Sequence, residues 1–150
     1  AAIEAVVLHS RQRFGACLLY DRQAGVKPVI RALRQSHPLH YSPDQDYGRR
    51  DAVFVPFFGV PAATVTGLSR IARATGARVL PMLTLWRDGR YVLRFDPPWE
   101  GFPTDDAEAD TRLMNARLEA YVLEAPEQYF WVHRRFKTRP KGEPDVYVGA

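Results

Sequence analysis

The stretch VFVPFFGVPAATVTGLSRIARATG, residues 53–76, decides the fold class. Its first six residues are too apolar for a surface loop, yet Pro56 has no N–H to give a ladder. An edge strand or an irregular buried segment is therefore expected over 53–58. Pro61 stands where the first turn of a helix tolerates proline, and the helix is expected to run to about Thr75. Val65, Leu68 and Ala72 fall on one face of it, with Arg70 and Arg73 on the wet side. Gly76 supplies the left-handed stop. A strand handing over to a helix that ends on glycine is the repeating step of an α/β chain.

The same alternation extends outward. ACLLY, residues 16–20, bounded by Gly15 and Asp21, suits a buried strand, and a helix follows at 25–35. There Val26, Val29, Ile30 and Leu33 recur at helical spacing, with Pro28 in the first turn. Leu39–Ser42 is expected as a strand that delivers the loop PDQDYG, residues 43–48, at its C-terminal end, where open α/β sheets place ligands. Downstream, 79–86 and 91–95 are joined by Asp88-Gly89, a strong hairpin signal. The longest helix is expected over 105–125: acids stand in its first turn, Met114, Leu118, Tyr121, Val122 and Ala125 share a face, and Pro126 breaks it. A last short helix, 127–136, carries a basic cluster. The expected architecture is α/β, a mixed sheet flanked by helices that ends in an antiparallel pair.

At 150 residues the chain fits one domain, and 46% hydrophobic with 25% charged residues excludes a disordered class. The net charge of +4 is unevenly spread. Asp105, Asp106, Glu108 and Asp110 form an acidic patch, whereas residues 131–141 hold no acid. A single cysteine, Cys17, excludes an intrachain disulfide and a cysteine metal cage. The four histidines show no ligand spacing, so neither metal nor cofactor is expected. Phosphate-loop and serine-elbow patterns are absent. No apolar run is long enough to cross a bilayer, and the start lacks the pattern of a signal peptide. The opening residues read as the tail of a helix, so the sequence is expected to begin inside a longer protein.

Three groups of residues carry candidate chemistry. Asp44 and Asp46 sit two apart, on opposite sides of an extended loop, which makes them a poor shared-proton pair. One would hold an arginine or a substrate hydroxyl while the other caps the turn; that both merely serve a turn ending at Gly48 is equally open. Tyr47 adds a phenol. Arg11 and Arg13 are expected on one side of an extended segment, where guanidinium forks recognise phosphate or carboxylate; a solvated pair at a helix end is the alternative. The third group is PEQYFWVHRRFKTRP, residues 126–140, in which Arg134, Arg135, Lys137 and Arg139, with Lys141 beyond, are interleaved with Trp131 and Phe136. Cations mixed with aromatics suit an anionic membrane surface or a phosphorylated lipid. Nucleic acid is disfavoured, for no aromatic RNA-binding strand, GXXG loop or broad basic stripe is present.

In the segments SRQRFG, YSPDQDYG, VFVPFFGVPAATVTGLSRIARATGARVLP and PEQYFWVHRRFKTRPKGEPDVY, taken in order, the chain resembles the late acyltransferases of lipid A biosynthesis, the lauroyl and myristoyl transferases of Gram-negative bacteria. The resemblance implies a glycerolipid-acyltransferase-like fold at the cytoplasmic face of the inner membrane, usually behind an N-terminal membrane helix. It also implies acyl carrier protein as donor, a phosphorylated glucosamine lipid as acceptor and no cofactor. The family's catalytic histidine, followed five positions later by an acid, has no counterpart here: the residues at that offset are Phe14, Ser42, Gln45 and Thr138. Residues 1–150 are accordingly expected to be the C-terminal part of one such domain, inactive by itself. The family's R-x-R arginine and first loop aspartate correspond to Arg11 and Asp44, with Asp44 expected to orient Arg11 or Arg13. Arg13, Asp46, Tyr47, Arg134, Arg135 and Lys137 are the expected substrate-binding residues. A non-catalytic lipid- or carrier-binding domain is the alternative reading, with a basic nucleic-acid module behind it.

Overall fold

A computed structural model describes residues 2–15, 17–20 and 25–148. The chain divides into two units, residues 1–38 and 39–150. In the first, helix α1 spans Ala2–Gln12 and helix α2 spans Lys27–Arg34, with Pro28 in the first turn of α2 as expected. Residues 17–20 form no strand; Leu18 and Tyr20 are exposed, and residue 16 lies outside the described residues. Three apolar side chains in a row are too few to order a strand without a neighbour to pair with.

The second unit is built on a hairpin that the sequence reading did not foresee. Strand β1 (Ala52–Phe57) pairs antiparallel with β2 (Val60–Val65) through a two-residue turn at Phe58 and Gly59. Both turn residues have positive φ, 50° and 76°, which the tight turn requires. The helix expected from Pro61 is thus a strand as far as Val65, and helix α3 begins at Gly67. The fixed φ of proline suits an edge strand as well as a first helical turn. Pro56 and Pro61 face each other, so the missing N–H groups fall at one rung of a sheet with two edge strands. The expectation of an edge strand over 53–58 is met. Val55, Phe57, Ala62 and Thr64 share one face and are 0% exposed. Burying Val55 and Phe57 contributes about 1.5–3 kcal/mol each.

Helix α3 (Gly67–Thr75) ends on Gly76 in the left-handed conformation, as its sequence indicates. Gly67 is needed for a different reason: a Cβ there would stand 2.7 Å from the hydroxyl of Tyr41. Strands β3 (Met82–Arg87) and β4 (Arg90–Phe95) close on Asp88-Gly89 as expected. Helix α4 (Ala107–Glu124) is capped by Asp106, whose carboxylate accepts from the N–H groups of Glu108 and Ala109. It lies across the inner face of β1–β2, where Val122 and Leu118 meet Phe57 and Ala62. Asp110 is 1% exposed and accepts from the Ser69 hydroxyl and from the N–H and hydroxyl of Thr104, so it ties α3 to α4.

Within this unit the architecture is two separate two-stranded antiparallel sheets with helices, and with α1 and α2 the chain is a small mixed α/β protein. The expected mixed sheet is not formed among the described residues. Residues 39–42, expected as its strand, form no ladder. The outer face of β3–β4 is apolar: Met82, Trp86, Tyr91, Leu93 and Phe95 share it and are 42–74% exposed. No described helix is long and apolar enough to cross a membrane.

Candidate functional site

The PDQDYG loop and the segment after α4 meet. Asp46 is 2% exposed. Its Oδ1 accepts from the Gly48 N–H at 2.8 Å and the Thr138 hydroxyl at 2.9 Å, and its Oδ2 accepts from the Thr138 N–H at 2.9 Å. The first of these closes the tight turn onto Gly48, whose φ of 89° favours glycine. The Asp46 N–H donates to Nε2 of His133 at 3.0 Å. His133 must therefore carry its neutral-ring proton on Nδ1. Asp44 is only half-buried and stands beside the Tyr129 phenol. Burial, and then the Asp44 charge, raise the pKa of the Tyr129 phenol well above its ordinary value. Tyr129 packs against Phe57 and Trp131, with ring centroids 6.0 and 4.7 Å away.

Arg135 lies under this loop at 1% exposure. Its Nη1 donates to the carbonyl of Ala63 at 2.8 Å and its Nη2 to the Thr64 hydroxyl at 2.5 Å, while the guanidinium sits over the Phe57 ring at 5.4 Å. Burial lowers its pKa, and Tyr129, Asp44, Asp46 and Tyr147 oppose that shift. A guanidinium stays protonated under such a perturbation, so the two loop carboxylates balance a buried cation. Asn115 of α4 completes the cluster by donating to the carbonyl of Pro56 at 2.9 Å.

The short helix expected over 127–136 is a single 3₁₀ turn, Pro126–Gln128, followed by irregular backbone. The amide of Gln128 bonds the N–H and carbonyl of Trp86, so this stretch spends its polar groups on tertiary contacts. The basic cluster splits accordingly. Arg135 is interior, and Arg139 binds the carbonyls of Pro61 and Pro144 and the carboxylate of Glu143. Arg134, Lys137 and Lys141 are exposed, with Arg134 over the Tyr147 ring at 5.4 Å. Asp46 and Arg135, expected as substrate-binding, are thus occupied by protein partners. Tyr47 is 43% exposed and donates to Oε1 of Gln45.

Arg11 lies in the last turn of α1 and Arg13 just beyond it, both exposed, with the Arg13 guanidinium 4.3 Å from the Phe14 ring. The segment is helical rather than extended, and residues two apart on a helix do not share a face. Among the described residues no cluster of His, Cys, Asp and Glu could hold a metal. The run Val53–Phe58 supplies the buried Val55 and Phe57. Reading the sequence did not find the contributions of Tyr129, His133 and Thr138. Their partners stand about 90 positions away, and no local pattern announces such a contact.

The sequence of residues 1–138 matches the family described as bacterial lipid A biosynthesis acyltransferase. The chain is 46% identical over 132 residues to the lipid A biosynthesis lauroyltransferase of Escherichia coli K12, covering 86% of this chain and 43% of that protein. A lipid A biosynthesis acyltransferase of Haemophilus influenzae is 39% identical over 140 residues, which are 92% of this chain and 43% of the relative. The lipid A biosynthesis myristoyltransferase of E. coli K12 is 36% identical over 140 residues, again 43% of its length. The chain thus spans less than half the length of these relatives. A match that runs through the PDQDYG loop and as far as Thr138, the residue that closes on it, places this chain in the bacterial lipid A biosynthesis acyltransferase family.

Proposed function

We propose that this chain is the C-terminal part of an enzyme that moves a fatty acyl group from acyl carrier protein to a hydroxyl of a phosphorylated glucosamine lipid, at the cytoplasmic face of the inner membrane. The family match over residues 1–138 supports this reading. Activating a hydroxyl against a thioester takes a general base held by a carboxylate, and the sequence contains no histidine with an acid five positions on. The chemical step therefore belongs to residues outside this chain. What the chain contributes is the carboxylate of Asp44, the guanidinium of Arg11, and cations for the acceptor's phosphates, Arg13 and Arg134 among them. Tyr47 borders the same loop. Assayed with acyl carrier protein charged with a fatty acid and a lipid A precursor, the complete protein should turn over and the 150-residue chain should not. Turnover by the chain alone would overturn the assignment of the chemical step.

The exposed cations Arg134, Lys137 and Lys141 are the surface that meets anionic lipid. Arg135 has no place in that test, because its loss would disturb the core. Arg134→Ala/Lys137→Ala/Lys141→Ala should weaken binding of the complete protein to anionic vesicles by about 10- to 100-fold. Raising salt should have the same effect, since exposed charges are screened. Equal loss on neutral vesicles would show that the cations act otherwise than through lipid charge.

A further inference from the structure

We infer that Tyr129, His133 and Thr138 are positioning residues that hold the PDQDYG loop so that the Asp44 carboxylate is presented in one place. The inference rests on the reading of Asp44 as an acting carboxylate. Its basis is the unequal treatment of two aspartates in one short loop. Asp46 is buried, with its carboxylate taken by three donors and its own N–H taken by His133. Asp44 is half-buried, with the Tyr129 phenol beside it. A carboxylate has room for about four hydrogen bonds, so the half-exposed Asp44 keeps acceptor capacity for a substrate or a catalytic partner.

The loop has no ladder to order it, and backbone that is not ordered by a ladder must be ordered by something else. The anchors do this from one short segment. His133 accepts from the backbone N–H of Asp46 and Thr138 donates to its carboxylate, from 87 and 92 positions away, while the Tyr129 phenol stands beside Asp44. The Tyr129 ring packs tilted against Phe57 and edge-on to Trp131, which limits its freedom to move away from Asp44. This is the arrangement expected of residues that act through another residue: they lock its geometry and leave its reactive side open.

The test measures kcat and KM for acyl transfer by the complete protein carrying Thr138→Val, Thr138→Ser, Tyr129→Phe or Asp44→Asn. Thr138→Val and Tyr129→Phe should each lower kcat about 10- to 100-fold with KM changed by less than about twofold, because orientation rather than binding is lost. Thr138→Ser keeps the hydroxyl and should retain the wild-type kcat. Adding Tyr129→Phe to Asp44→Asn should cost little more, since both act on one carboxylate. Tyr129→Phe removes a single hydroxyl, so it answers the question even where Thr138→Val fails to fold. Wild-type kcat in Tyr129→Phe beside an impaired Asp44→Asn overturns the inference alone. An equal loss in Thr138→Ser and Thr138→Val also overturns it, because packing rather than the hydroxyl would then be at work. Wild-type kcat in Asp44→Asn overturns the underlying reading and the inference with it.

Discussion

Asp44→Asn in the complete protein should lower turnover by about 100-fold or more while the fold survives. The amide has nearly the shape of the carboxylate, so the packing of residue 44 beside Tyr129 is retained in kind. What disappears is the negative charge, and orienting a cation or a proton-bearing group depends on that charge. Arg135 also loses one of its two balancing carboxylates, but Asp46 remains in place with its three donors. The melting temperature of the 150-residue chain should therefore fall only slightly. Near-wild-type turnover would make Asp44 a turn residue, the alternative that residue types alone left open.

Arg135→Ala should destabilise the 150-residue chain by about 3–5 kcal/mol, seen as a lower urea midpoint at unchanged slope. The substitution leaves the Ala63 carbonyl and the Thr64 hydroxyl without their donor in an interior that water does not reach. It opens a cavity beneath Phe57 and removes a cation whose charge Asp44 and Asp46 balance. Arg135→Lys should recover only part of the loss. An ammonium on a flexible stem cannot bond both acceptors in the plane of a fork while lying over a ring. An unchanged midpoint in Arg135→Ala would mean that this guanidinium is dispensable to the core and return it to the set of surface cations.

Those two predictions separate what was legible in the sequence from what was not. The two-fold spacing of Asp44 and Asp46 raised the possibility that one serves a turn and the other acts, but it did not say which. The structure shows Asp46 closed into the turn by Thr138, ninety-two positions away. Arg134 and Arg135 are adjacent and identical in type, yet one lies in solvent and the other is 1% exposed. A run of cations carries no mark of which member turns inward, because that depends on where the acceptors of β2 stand.

By itself the sequence determined the elements whose cause is local. The Asp88-Gly89 hairpin follows from two residues that tolerate positive φ. Helix α4 follows from a capping Asp106, first-turn acids and a stop at Pro126, and the end of α3 from Gly76. Sequence also determined the family, since the family match runs through residues 1–138. Only the tertiary structure decided that Pro61 sits in a strand, because the fixed φ of proline is common to both conformations and pairing with Pro56 settles the choice. Only the tertiary structure decided that the loop at Asp46 is held by His133 and Thr138 instead of by a sheet. Local conformational preference is written in neighbouring residues; a hydrogen bond that closes ninety residues of chain exists only once burial has brought its two ends together.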